Sequence, residues 1–512
     1  MSSRSFRLPA MSVILLVASV QTVPERVAAQ TASSDEDAAK GRYRTALSLM
    51  RDGSYKEAGE VLKSICDNDK YSRTSVGDDA LLQLARYYFE TERNLAEAQK
   101  LAKKLVDNYG NGNAVPGGYL LRGRMALSRD RSPESVRTAI GQFKSAVEIF
   151  ADNNEAVSEA LYRIGEAYRL SGRPDDAMAT FGRVCSDYSQ SLWCARARLG
   201  LAASLVRAGQ WQRAIEELQR VRNGFPESPE SHQALRWNTI LHRLYVLPSL
   251  RRAPFTVVNK QPAGGRLRNV LAMAIDPGGR LLIALKSDVR VADQTGTRPL
   301  VFGAGDCTGV FLDHRGGLYA IQGGRLVPEH GDAIPISMTK ATKSRIVENI
   351  PAAGTLSTGE FLISDPDESA IQLYSGEGKY LAAWKPGIKA SRLVVNEYDE
   401  IAVLEREEKS ITVLRRIDGS ILSRVPANGT GFVLVNPVDI AYDSLGHLYV
   451  LDRDSGSVVV FAPFQTNARF VLAFSIPEKT AGAFTKARAF AVDPFGRLAI
   501  FDDRLELTQN YQ

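Results

Sequence analysis

Residues 436–461 read NPVDIAYDSLGHLYVLDRDSGSVVVF. Val438, Ile440 and Tyr442 alternate with other residues, and Asp443-Ser-Leu-Gly446 supplies turn chemistry. A second apolar run covers 447–451 and a third 457–461. Period-two runs broken by Asp/Gly clusters predict strand, tight turn, strand, turn, strand. Three such strands cannot bury both faces by themselves, so the stretch predicts copies of itself elsewhere.

The copies are present. Asp276-Pro-Gly-Gly279 precedes RLLIAL, Asp313-His-Arg-Gly316 precedes GLYAI, and Asp493-Pro-Phe-Gly496 precedes RLAIF. Two weaker units place Thr358-Gly359 before EFLIS and Asn396-Glu-Tyr-Asp399 before EIAVL. The anchors 279, 316, 359, 399, 446 and 496 are 37, 43, 40, 47 and 50 residues apart. Four-stranded propeller blades recur at about 40–50 residues, so six units predict a six-bladed β-propeller over 254–512. Only sixteen residues follow Gly496, too few for a full blade. The β-rich stretch 254–258 (PFTVV) is expected to supply the missing strand and close the ring. An open sheet or sandwich is the competing architecture.

The pattern Pro437…Ile440-Ala441-x-Asp443-x-x-Gly446-x-Leu448-Tyr449-Val450-x-Asp452 resembles an NHL repeat, the unit of NHL-type propellers. The unit around Asp493 and Gly496 follows it closely. Two units depart from it, with Leu356 where the Asp should stand and Asp399 where the Gly should stand.

Residues 38–246 change to Ala, Leu, Arg and Glu at helical spacing. In one unit Leu161, Ile164, Gly165 and Tyr168 share a helix, Gly172 and Pro174 mark a turn, and Ala177, Phe181 and Val184 follow on the next. The next unit repeats this with Leu201, Ala202 and Leu205, the turn at Gly209, then Ala214, Leu218 and Val221. These resemble tetratricopeptide (TPR) repeats, which implies an α-solenoid of stacked helical hairpins. Weaker copies stand at 53–62, 95–105 and 118–150, and 229–245 reads as the cap of the stack. The ending FPES at Phe225-Pro226-Glu-Ser228 is similar to units of bacterial envelope TPR proteins. A non-repetitive helical bundle is the alternative. Residues 247–253 read as a hinge between the halves.

Arg4 and Arg7, the apolar run 11–20 (MSVILLVASV) and Val27-Ala28-Ala29 form the pattern of a signal peptide covering 1–29, cleaved between Ala29 and Gln30. Ten apolar residues are too few to span a bilayer, which needs about twenty. Residues 30–37 read as a polar linker. The expected location is therefore exported, periplasmic or secreted. In that setting Cys185 and Cys194 are candidate disulfide partners, and Cys66 and Cys307 are expected to be buried free thiols.

The chain has 512 residues, 44% of them hydrophobic, with a formal charge of +6. No dense Lys/Arg run interleaves with aromatics, which argues against a nucleic-acid protein. None of His232, His242, His314, His330 or His447 has metal-ligand spacing, and no catalytic motif appears. Asp365, Glu405, Asp452 and Asp502 end the second strands and read as turn formers rather than as ligands. No catalytic residue, cofactor or metal is therefore assigned. The expected function is a non-catalytic scaffold or adaptor of the cell envelope, docking protein partners through the TPR groove and a propeller face. A Ca-dependent propeller hydrolase, a lyase and a glycan-binding module are the alternatives, with Trp384 the aromatic that a glycan site would use.

Overall fold

The computed structural model describes residues 23–110, 112–129, 131–250, 253–259, 267–293, 296–300, 306–313, 315–340, 343–346, 350–463, 469–475 and 484–511. The chain forms two compact units, 1–122 and 123–512.

The first unit holds α1 (Val23–Arg51), α2 (Tyr55–Cys66), α3 (Gly77–Glu90), α4 (Leu95–Asn108) and the start of α5 (Val115–Arg129). Ala58, Leu62, Ala98 and Leu105 are fully buried at helical spacing, as the repeat pattern requires. Residues 30–37, read as a linker, instead continue α1. That stretch lacks Gly and Pro, and Glu36 pairs with Lys40 one turn on and accepts the Ser75 N–H at 3.1 Å.

In the second unit the helices are α6 (Pro133–Ile149), α7 (Asn154–Leu170), α8 (Pro174–Asp187), α9 (Leu192–Arg207), α10 (Trp211–Gly224) and α11 (Pro229–Leu241). A π-helical turn, His242–Val246, and the short α12 (Leu247–Ser249) follow. Side-chain oxygens of Ser132, Asn153, Ser191 and Ser228 cap α6, α7, α9 and α11. Phe181 of α8 is wedged between Gly165 of α7 and Gly200 of α9, where a Cβ on either glycine would stand 2.6 Å from the ring. The small positions of the repeat are thus set by one aromatic knob.

The propeller has six four-stranded antiparallel sheets, each a meander from the central channel outward. Blade 1 comprises Val270–Ile275, Leu281–Leu285, Val289–Asp293 and Gly296–Leu300. Blades 2 to 5 begin at Cys307–Leu312, Ala353–Thr355, Arg392–Val395 and Pro437–Tyr442. Blade 6 comprises Ala487–Val492, Leu498–Asp502 and Leu507–Tyr511, and its outer strand is Val257–Asn259, with Val257 opposite Tyr511. Chain segments from both ends of the domain therefore share one sheet, and each innermost strand neighbours the next around a closed ring. All six anchors adopt positive φ, from 58° at Asp399 to 97° at Gly359. At five turns an Asp or Asn oxygen accepts backbone N–H groups across the turn, as Asp443 does from Leu445 and His447.

The two units that depart from the NHL pattern are linked. Leu356 leaves blade 3's turn without a carboxylate, and Asp399 of blade 4 accepts the Ser357 N–H at 2.7 Å and its hydroxyl at 2.8 Å. Asp399 also pairs with Arg131 at 2.8 Å and Arg416 at 3.0 Å. A left-handed non-glycine residue costs about 1–2 kcal/mol, which these interactions offset.

The helices of this unit dock on the propeller face made by those first turns. Arg131, Arg169 and Arg207 stand 38 residues apart, at or just after the ends of α5, α7 and α9. Arg131 meets Asp399, Arg169 lies over the Tyr398 ring at 4.6 Å, and Arg207 pairs with Glu400 at 2.6 Å while covering Tyr398 at 4.9 Å. Arg243, 36 residues further, donates to the Phe495 carbonyl of blade 6 at 2.6 Å. One apolar core runs from Leu205, Trp237 and Ile240 through Phe255 to Tyr449, Phe490 and Tyr511. The segment read as a hinge therefore joins two parts that share a core. Arg207→Ala should destabilise the protein by about 3–5 kcal/mol, because Glu400 is left buried without its cation. Urea unfolding of the single and double Met variants at 207 and 400 measures the coupling, and a loss below about 1 kcal/mol would mark an exposed-type pair.

Candidate functional site

The helices occupy the first turns of blades 4 to 6, and the opposite mouth of the propeller is where the channel side chains gather. The first strands enter there, and the second strands end there. The channel encloses about 260 Å³ and is lined mainly by apolar residues of the six first strands, including Met273, Val310, Leu393 and Ile440.

One layer of this lining is different. Ala272, Gly309, Ala352, Arg392, Asp439 and Ala489 occupy equivalent register positions in blades 1 to 6. Four are small and two, on adjacent blades, are charged. Arg392 Nε donates to Asp439 Oδ1 at 3.2 Å, Nη1 to the Ser391 carbonyl at 3.2 Å, and Nη2 to the Leu271 carbonyl at 2.8 Å. Leu271 belongs to blade 1, across the ring from blade 4, so this side chain bridges the channel. Asp439 also accepts the backbone N–H groups of Ile440 and Phe490 at 3.1 Å. Burial pushes its carboxyl above the usual carboxylate range, against the pull of Arg392 and those N–H donors.

Around this pair stand three more arginines. Arg406, just after the second strand of blade 4, donates to the Val438 carbonyl of blade 5 at 3.2 Å. Arg453, equivalent in blade 5, donates to the Ala487 carbonyl of blade 6 at 3.1 Å. Arg453 and Arg488 share Asp503 at 3.2 and 3.4 Å. Desolvation lowers the pKa of the otherwise exposed Arg406, and the like charges of Arg392 and Arg453 lower it further.

The acidic residues singled out in sequence are taken up by turns. Asp452 accepts the N–H groups of Val435, Asn436 and Ser455, and Asp502 those of Thr485, Lys486, Arg504 and Leu505. Asp365 holds Gln372 at 3.2 Å and Glu405 holds Thr412 at 2.7 Å. Among the described residues no group of three or more His, Cys, Asp or Glu side chains converges as a metal site. His314 lies outside the described residues. His447 is fully buried, with Nδ1 donating to Asp443 at 2.9 Å and Nε2 accepting the Tyr245 hydroxyl at 3.0 Å, so it ties the π-helical turn to blade 5.

Trp384 sits in the blade 3–4 core at 8% exposure. A disulfide joins Cys185 and Cys194, whose Cα atoms are 4.8 Å apart. Burial pushes the thiols of Cys66 and Cys307 up to about 12 and about 11. Ala29 and Gln30 fall within α1, and residues 1–22 lie outside the described part. Among the described residues no helix is long and apolar enough to cross a membrane.

The sequence motifs did not single out Arg392 and Asp439. A signal was available. Each stands seven residues before its blade's anchor, 392 before 399 and 439 before 446, as Ala272 stands before Gly279.

A tetratricopeptide-repeat family model matches residues 79–112, 159–191 and 196–228, and an NHL-repeat model matches 434–461. The chain thus combines TPR repeats with a six-bladed β-propeller carrying an NHL repeat. Such repeats generally mediate protein interactions and are typically non-catalytic. No curated protein matches the chain. Similar solved structures include a thermophilic TPR protein of Thermus thermophilus (18% identity, 37% of this chain, 93% of that one, TM-score 0.30). Virginiamycin B lyase from Staphylococcus aureus aligns at 11% identity over 48% of this chain and 80% of its own, TM-score 0.32. The PQQ-bound aldose sugar dehydrogenase of Streptomyces coelicolor aligns at 13% over 50% and 98%, TM-score 0.34.

Replacing Arg392 with Ala strands a buried carboxylate and two carbonyls, and should cost about 3–5 kcal/mol. Asp439→Ala on that background should restore part of the loss. Thermal unfolding of the three variants checks this, and equal losses for single and double variants would contradict the bridging role.

Proposed function

We propose that this protein is a non-catalytic interaction scaffold of the bacterial cell envelope, holding one protein partner in the groove of its TPR helices and another on the open propeller face. The observation that carries the reading is the division of the propeller's two faces. The first-turn face of blades 4 to 6 is committed to Arg131, Arg169, Arg207 and Arg243, which fixes the helices to the propeller. The other face carries exposed polar groups over a channel bridged by Arg392. Two partners on such a frame meet at a fixed geometry, and the second binds with the effective concentration of a tethered ligand.

The envelope location rests on the basic, apolar and small-residue pattern of 1–29 and is supported by the Cys185–Cys194 disulfide, a bond favoured in oxidising compartments. Expression in a bacterial host should yield a mature chain beginning at Gln30 in the exported fraction. An uncleaved chain in the cytoplasmic fraction would contradict export.

Capture from envelope extract with the intact mature chain, followed by lysine cross-linking, tests the scaffold directly. Partner cross-links are expected at Lys389, Lys409 or Lys486 on the open face; α7, α9 and α11 carry no lysine, so a photo-cross-linking residue placed in those helices tests the groove separately. Failure to retain any specific protein, together with Ca²⁺ binding in calorimetry and hydrolysis of a lactone panel, would replace the scaffold by the enzyme reading. Retention of a polysaccharide in place of protein would favour the glycan module.

A further inference from the structure

The charges at the open channel mouth alternate, with one gap. Arg392 faces Asp439, and Arg453 and Arg488 face Asp503 between them. Arg406 stands between these two groups, and among the described residues it pairs with no carboxylate. Its one hydrogen bond there is to the Val438 carbonyl, which leaves most of the guanidinium fork unused. The two aspartates are ion-paired with Arg392, Arg453 and Arg488, and neither is ion-paired with Arg406. The side chain is exposed, so an incoming group can reach it.

We propose that Arg406, flanked by Arg453 and Arg488, is the docking point for an acidic segment of a protein partner, whose Asp or Glu carboxylate completes the alternation. This deepens the scaffold reading and rests on it. A planar fork can match a carboxylate through two parallel N–H···O bonds, and the neighbouring arginines in this cluster already pair with carboxylates, each through a single contact. The incoming carboxylate also offsets the like charges of Arg392 and Arg453, which, after desolvation, lower the pKa of Arg406. Arg392 is locked in the channel by three hydrogen bonds and serves as the floor of the site.

The test uses the purified full-length protein and a fluorescein-labelled hexaglutamate peptide, with hexaglutamine as the neutral control, followed by fluorescence anisotropy at low salt. Hexaglutamate should bind and hexaglutamine should not. Arg406→Gln should weaken hexaglutamate at least about tenfold, the scale of one charge-assisted hydrogen bond, and Arg406→Lys should fall between. Arg298→Gln, the same charge change on the outer strand of blade 1, should weaken it less than about twofold, as a distant screened charge does. Equal losses at 298 and 406 would reduce the effect to net charge and overturn the site. So would absent binding, or binding indifferent to Arg406. Inorganic phosphate that displaces the peptide at equal concentration, with the same dependence on Arg406, would make this a general anion site and overturn the commitment to an acidic segment. The titration is independent of partner capture. A scaffold that captures protein while hexaglutamate fails to bind leaves the scaffold reading intact and removes this inference alone.

Discussion

Asp399 and Glu400, at the first turn of blade 4, are where the helical repeats and the propeller hold each other. Both carboxylates are nearly buried, and ionised groups in that position are tolerated only when cations and hydrogen bonds satisfy them. Arg131, Arg416 and two Ser357 groups serve Asp399, while Arg207 and Asn396 serve Glu400. The demand is met from successive repeats, because a period of 38 residues brings the end of each inner helix to the same edge of the stack. Around these charges, the shared apolar core and the Asp443–His447–Tyr245 chain extend the joint to blades 5 and 6.

This joint decides what the remaining surfaces can do. A propeller hung on a flexible tether would present either face to a partner. Here the first turns of blades 4 to 6 are spent on the helices, which fixes the orientation of the propeller relative to those repeats. The Arg392–Asp439 bridge also spans the channel formed by the inner strands. The same side chains that stabilise the ring thus shape the surface around Arg406.

Much of this was legible in the sequence. Turn clusters at blade spacing marked all six anchors, including Asp399, and the short tail after Gly496 together with the β-rich 254–258 implied a sheet closed by both ends. The helical hairpins followed from Gly165, Ala177 and Phe181 around the turn at Gly172 and their copies Ala202, Ala214 and Leu218 around Gly209. The docking was not legible, because Arg131, Arg169 and Arg207 read as ordinary exposed helix-end residues until their partners were known. The channel pair was missed for a related reason: a single Arg among RLVV and a single Asp in PVDIAY look like surface alternation in isolation. Only the register across six blades shows that they share a layer. Residues 30–37 misled because polar composition suggests a linker, whereas helix formation there depends on Ser75 and Lys40 partners that composition cannot reveal.

The helices of the second unit and the propeller should unfold as one cooperative structure. Native-state hydrogen exchange across a urea series tests it most directly, by comparing amides of α9 with those of the second strand of blade 5, Leu448–Asp452. A joint built on buried charges and a shared core predicts that both sets open with the same free energy and the same urea dependence. If α9 lost its protection at lower urea while Leu448–Asp452 kept theirs, the helices would be an independent appendage and the account would fail.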